Sequence, residues 1–295
     1  MRLVTYRRGG RLEAHIGALR EGDHAVLDLA AADLAFAGGN MAALIAGGDA
    51  VLRHARAAIL KAPAVPDAVI CAPIPRPAKN IFCVGKNYHE HAKEFASSGF
   101  DATAKEVVPE APVVFSKPPT SVIGPGEPIP SYLDSSNSTD YEGEIAVVIG
   151  RGGRGISEAD AYAHVFGYTI VNDVTARTLQ HKHRQWILGK GIDGFCPMGP
   201  AILTADEAGT PPKLSISTWV NGELRQRAPI ADLIFAIPTL IATISAAITL
   251  EPGDIIATGT PAGVGIGFKP PRFLKPGDVV RIEVPGIGVL ENPVA

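Results

Sequence analysis

The stretch TDYEGEIAVVIG, Thr139 to Gly150, sets two carboxylates one residue apart at the entrance of an apolar strand. On an extended strand, residues i and i+2 share a face, about 6.6 Å apart along the chain. Glu142 and Glu144 therefore project together, with Tyr141, Gly143, Ile145 and Val147 on the other side. Two like charges side by side raise each other's pKa unless a cation sits between them. An ExE pair is most often an exposed strand face. Here the strand continues as IAVVIG into the core, so a metal is the expected partner. YTIVNDVTAR offers a third oxygen ligand: an apolar strand, Phe166 to Val171, ends on Asn172 and Asp173. Asp in that position commonly starts a turn. Together with the glutamates it makes a set of three carboxylates without His or Cys. Such a set favours a hard cation, Mg²⁺ or Mn²⁺, with positions left open for water and substrate.

A second cluster lies in VGKNYHEHAKEF. His91 and Glu94 are three residues apart, so on a helical turn they share a face and Glu94 can orient the imidazole. A carboxylate-held imidazole removes a proton from water or carbon; the plainer alternative is a solvated polar helix. His89, two positions from His91, faces elsewhere. Lys190, in GKGIDGFCPMGP, sits in a glycine-rich segment that suits either a reaching cation or a surface lysine.

These residues need elements to carry them. The run from NIFCVG through PVVFSK, EIAVVIG, VFGYTIVND, GPAILT, LSISTWVNG, DIIATG and DVVRIEV reads as short strands between Pro, Gly and Asp turns. Helices look few. One is expected over Pro238–Thr249, where Ile237, Leu240, Ile241, Ile244 and Ile248 fall at helical spacing. Another is expected in ISEADAYAHV, with Ser157 as N-cap and Asp160 three residues on. Mainly β with some α, in a roll or barrel-like arrangement, is the fold class this pattern supports. The first seventy or so residues differ: short strands with Gly turns, then an Ala/Leu-rich helical stretch. Five prolines between Pro63 and Pro77 suit a linker. The expected division is a small α+β segment, 1–75, and a catalytic domain, 76–295.

Composition narrows the partners. With 46% hydrophobic and 19% charged residues and a formal net charge of −3, the chain is of ordinary globular type. Nothing in it calls for nucleic acid or an anionic membrane as partner. Its three cysteines, Cys71, Cys83 and Cys196, make neither a disulfide framework nor a CxxC metal site, which suits a reducing, cytoplasmic setting. No signal-peptide pattern and no apolar run of about 18–20 residues is present; Leu233 to Leu250 is broken by Pro238 and polar residues.

From Asn80 to Pro293 the chain resembles the fumarylacetoacetate hydrolase family. The likeness rests on seven motifs in the family's order: NIFCVGKNYHEHAKE, PVVFSKP, DYEGEIAVVIG, GYTIVNDVTARTLQ, GKGIDGFCPMGP, VNGELRQ and LEPGDIIATGTPAGVG. The resemblance implies a mixed β-sandwich roll, usually a homodimer, fronted by a small N-terminal domain. It implies metal binding by Glu142, Glu144 and Asp173, a catalytic pair of His91 and Glu94 on a lid, and an active-site Lys190. It places Gln180 and Thr260 near the substrate and makes Arg177 a structural partner for a carboxylate. The original hydrolases of the family carry a further aspartate ligand before the catalytic histidine. This chain has GKNYHEH there, so a site of three carboxylates is expected.

The chemistry implied is cleavage of a C–C bond in a small 2-oxo or 2,4-dioxo acid. Decarboxylation of oxaloacetate is expected ahead of hydrolysis of an acylpyruvate. The alternative on the same site is a 2-hydroxyhepta-2,4-diene-1,7-dioate isomerase; a different class is a binding protein that kept the fold without the chemistry. The distal end of the substrate is expected to meet the lid segment FASSGFDATAKEVVPEAP.

Overall fold

A computed structural model describes residues 1–100 and 107–295; six residues of the expected lid segment, 101–106, lie outside the described residues. The chain opens with the antiparallel strands β1 (Arg2–Arg8), β2 (Ala14–Leu19) and β3 (Val26–Asp28). Helices α1 (Leu29–Ala32), α2 (Met41–Ala46) and α3 (Gly48–Ile59) follow. The side chains of Asp28 and Asn40 cap the first two. The proline-rich stretch is more than a linker, because β4 (Ala68–Ile70) lies inside it and pairs with β1.

Next come β5 (Ile81–Gly85), helix α4 (His89–Ser97), β6 (Val113–Lys117), β7 (Val122–Ile123) and β8 (Thr139–Asp140). The long strands β9 (Gly143–Ile149) and β10 (Val165–Asn172) lead through β11 (Thr175–Ala176) to helices α5 (Arg177–His183) and α6 (Ile187–Lys190). Strand β12 (Cys196–Thr204) and helix α7 (Ala205–Ala208) precede a hairpin of β13 (Ser215–Val220) and β14 (Glu223–Pro229). Helix α8 (Ile237–Ala247), β15 (Ile255–Ala257) and the hairpin of β16 (Val279–Val284) and β17 (Gly288–Pro293) complete the chain.

Most of these strands form one large sheet, in the order β3-β2-β1-β12-β10-β9-β15-β5-β6, and a second sheet runs β14-β13-β16-β17. The pairing of Arg2 with Leu203 joins the amino-terminal strands to the large sheet. Strand β9 lies near its middle and is buried on both faces. Ile145, Val147 and Ile149 pack with Ile216, Val280, Ile282 and the α8 residues Leu240 and Ile244. Ala146 and Val148 pack on the other side with Leu3, Ile45, Ile81 and Ile202. An apolar run on both faces is what such a strand requires, and Glu144 shares the second of these faces.

Two expectations shift. Helix α8 has the expected buried residues, but Ile248 lies past its end and is 45% exposed. ISEADAYAHV does not form an α-helix. Ser157 and Asp160 do bond to each other, yet the chain makes only turns and a 3₁₀ segment, Ala161–His164, before β10. No helix among the described residues is long and apolar enough to cross a membrane.

Gly143, between the two glutamates, is set by packing. A Cβ there would lie 2.2 Å from Thr218 Oγ1 of the second sheet. Gly143→Ala is therefore expected to destabilise the protein by about 1–3 kcal/mol through overpacking, read as a lower urea midpoint with an unchanged slope. An unaltered midpoint would show that the two sheets separate there without cost.

Candidate active site

Strand register brings the acidic residues together. Strands β9 and β10 are antiparallel neighbours, with Val171 opposite Glu144 and Asn172 opposite Gly143. The next residue, Asp173, therefore falls beside Glu142. Its N–H donates to the Glu142 carbonyl at 2.8 Å, and the Glu142 N–H donates to Asn172 Oδ1 at 3.0 Å. Carboxylate oxygens of Glu142, Glu144 and Asp173, all buried, lie within 4.8 Å of one another.

Three buried cations face this cluster. Lys190, at the end of α6, places Nζ 2.7 Å from Glu142 Oε2 and 2.7 Å from Asp173 Oδ2. Lys117, the last residue of β6, sits 2.8 Å from Asp173 Oδ1 and also donates to the carbonyls of Val174 and Lys190. Arg177, at the start of α5, reaches Glu142 Oε1 with Nη1 at 2.7 Å and Asp140 Oδ2 with Nε at 2.9 Å. Its Nη1 also donates to Gln180 Oε1 at 3.3 Å. Glu144 is treated differently. It accepts from the Gly259 N–H at 2.8 Å and has no ion pair among the described residues.

The protonation equilibria divide accordingly. Burial opposes the charge of Glu142, but Lys190 and then Arg177 outweigh it and hold this carboxyl at about 2. Burial, followed by the negative Asp173 and Glu142, pushes Glu144 well above the usual carboxylate range. Lys190 is raised: burial lowers it, but Asp173 and Glu142 prevail. The donor set fits a hard divalent cation, since it consists of oxygen alone and one member, Glu144, lacks a counter-charge.

Helix α4 lies over the cluster. His91 is buried, with Nδ1 3.1 Å from Glu94 Oε2, whereas His89 is exposed. Lys86, with φ of 55°, precedes the helix and is buried as well. A cavity of about 10 Å³ is lined by Lys86, His91, Glu142, Arg177, Gln180 and Lys190, with Phe95, Phe115 and Trp186 as aromatic wall. That volume holds about one water molecule. Thr260 is not part of the lining. Its hydroxyl donates to the Gly143 carbonyl at 2.9 Å and accepts from Gln226 Nε2 at 2.7 Å, so its one proton is engaged within the protein. Lys117, Asp140 and Lys86 escaped the sequence reading. Lys117 and Asp140 both stand inside quoted motifs, PVVFSKP and TDYEGE, but only their burial and ion pairs single them out.

A β-rich fold with a buried set of three carboxylates under an imidazole–carboxylate pair defines a class of metal-dependent enzymes acting on small oxo acids. The chain belongs to the fumarylacetoacetate hydrolase family: residues 80–295 match the fumarylacetoacetate (FAA) hydrolase C-terminal family. It is 48% identical over 267 residues to oxaloacetate tautomerase YisK of Bacillus subtilis (strain 168), covering 87% of this chain and 86% of that protein. Among solved structures, a fumarylacetoacetate hydrolase from psychrophilic Exiguobacterium antarcticum superposes with a TM-score of 0.83 at 40% identity, covering 100% of this chain and 99% of the other. Maleylpyruvate hydrolase from Sphingobium sp. SYK-6, in complex with manganese(II) and pyruvate, superposes with a TM-score of 0.79 at 32% identity, covering 100% and 99%.

Two outcomes follow from the charge pattern. Removing one partner of a buried ion pair typically costs about 3–5 kcal/mol, so Lys117→Met should lower stability by that order in chemical denaturation; a change within error would mean the Asp173 contact contributes nothing net. A carboxyl raised on folding, as Glu144 is, stabilises the metal-free protein at low pH and ceases to do so as pH rises through its folded value. Binding Mn²⁺ needs the ionised form, so affinity should increase as pH rises above the ordinary carboxylate range, and protons should be released. Calorimetry in buffers of different ionisation enthalpy reads this; heats independent of buffer would contradict it.

Proposed function

We propose that the chain catalyses metal-dependent keto–enol interconversion of oxaloacetate, with Glu142, Glu144 and Asp173 as metal ligands. The observation that carries this reading is that one small cavity is lined by both His91, held by Glu94, and the Glu142–Lys190–Arg177 cluster. Mg²⁺ or Mn²⁺, when bound, would supply Lewis acidity to a 2-oxo acid. With Nδ1 of His91 committed to Glu94, Nε2 is the nitrogen left to take a proton from carbon 3 or to return it. Lys190 and Arg177 set positive charge beside the oxygen that becomes negative in the enolate. Gln180, its Oε1 turned to Arg177, has its amide NH₂ left for a substrate oxygen. The name of the Bacillus subtilis relative supports oxaloacetate as substrate.

Cleavage is the second reading, favoured by the likeness to a maleylpyruvate hydrolase holding manganese and pyruvate. Decarboxylation of oxaloacetate and hydrolysis of an acylpyruvate both pass through the same enolate, so the residues serve either outcome. The two readings separate in one experiment. The enol–keto absorbance of oxaloacetate is followed by stopped flow, alongside pyruvate release from oxaloacetate and from acetylpyruvate. Tautomerisation should be the fastest of these, lost in excess EDTA, and reduced by about 10²–10⁴-fold in His91→Ala. Pyruvate release outpacing tautomerisation would assign cleavage instead. Undiminished activity in EDTA would remove the metal from the proposal.

A further inference from the structure

The motif TGTPAGVGIG, Thr258 to Gly267, contributes no side chain to the cavity, yet it is bracketed by two carboxylates. From above, Glu94 of α4 accepts from the Gly263 N–H, at 3.0 Å to Oε1 and 3.3 Å to Oε2. From below, Asp140 accepts from the Gly265 N–H at 2.7 Å and the Ile266 N–H at 3.2 Å. Tyr141 OH donates to the Gly263 carbonyl at 2.7 Å. The next residue along the chain is Glu142, and Arg177 joins the side chains of Asp140 and Glu142 directly. Unbroken hydrogen bonds and ion pairs thus run from Glu94 through the turn to Asp140, Arg177 and Glu142.

The glycines mark how close these approaches are. A Cβ on Gly267 would lie 1.8 Å from Glu94 Oε1, and one on Gly265 would lie 2.5 Å from Asp140 Oδ1. Any side chain at 267 therefore displaces the carboxylate that holds His91, although Gly267 itself is exposed.

We propose that the turn 263–267 couples the seating of α4 to the placement of Glu142, with Asp140 as the positioning residue between them. The link is reciprocal: whatever draws α4 down onto the cavity steadies Glu142, and whatever binds at Glu142 steadies α4. The inference rests on Glu142 being a metal ligand.

The test uses the full chain, Mn²⁺ alone, and Mn²⁺ with oxalate, a small dicarboxylate that mimics the chelating end of a 2-oxo acid. In the unaltered protein oxalate should tighten Mn²⁺ binding and slow amide exchange across His89–Ser97. Gly267→Ala should weaken affinity for Mn²⁺ about tenfold when oxalate is present, and by less for Mn²⁺ alone. Asp140→Asn should abolish the oxalate-induced protection of α4, a readout that a merely structural role beneath Arg177 would not move. Unchanged Mn²⁺ affinity with oxalate in Gly267→Ala would overturn the coupling even if Asp140→Asn failed to fold. Absence of any oxalate effect in the unaltered protein would overturn it while the metal reading stands. Failure of the unaltered protein to bind Mn²⁺ would overturn the metal reading, and the coupling with it.

Discussion

The antiparallel register of β9 and β10 forces Glu142, Glu144 and Asp173 into one buried volume, and the rest of the site answers that constraint. Buried carboxylates persist only when cations and hydrogen bonds replace the water they lose. Lys190, Lys117 and Arg177 supply charge from three different elements, the Gly259 N–H supplies a dipole to Glu144, and those of Gly265 and Ile266 hold the neighbouring Asp140. The compensation is uneven. Glu142 and Asp173 are matched, whereas among the described residues Glu144 has a single N–H donor and no counter-charge, a donor set that fits one more positive charge.

This arrangement joins stability to function. Lys190 serves as counter-charge for two carboxylates and also lines the cavity, so the same ammonium that makes the buried acids tolerable faces that space. Arg177 plays the same double part between Asp140, Glu142 and Gln180. Groups already committed to one another need little reorganisation when charge develops on a bound oxo acid, which is the condition for strong electrostatic stabilisation. The aromatic wall of Phe95, Phe115 and Trp186, with ring centroids 6.0 and 5.1 Å apart in its two edge-on pairs, lowers the local polarity and strengthens those charges.

Helix α4 is the other half of the cavity wall, which it supplies through His91 and Phe95. Its position depends on Glu94 meeting the backbone of the glycine-rich turn and on Phe95 packing against Trp186.

The residue types and their spacing determined a good deal. Alternation along TDYEGEIAVVIG put Glu142 and Glu144 on one face, the end of YTIVND supplied Asp173, and helical spacing paired His91 with Glu94; each is a local geometric rule that holds wherever the segment lands. The β-rich character was equally local, since β-branched runs and turn residues act over a few positions. Tertiary structure alone decided the rest. That Lys117 is buried against Asp173, that Asp140 grips a turn more than a hundred residues away, and that the Thr260 hydroxyl is occupied by Gly143 and Gln226 depend on contacts between strands distant in sequence. ISEADAYAHV failed as a helix for the same reason: its capping bonds form, but the chain must enter β10 within a turn, and pairing with β9 prevails over a local preference. A lysine at the end of an apolar strand reads the same in sequence whether it meets water or a buried carboxylate, because the desolvation that distinguishes the two exists only once the sheets have packed.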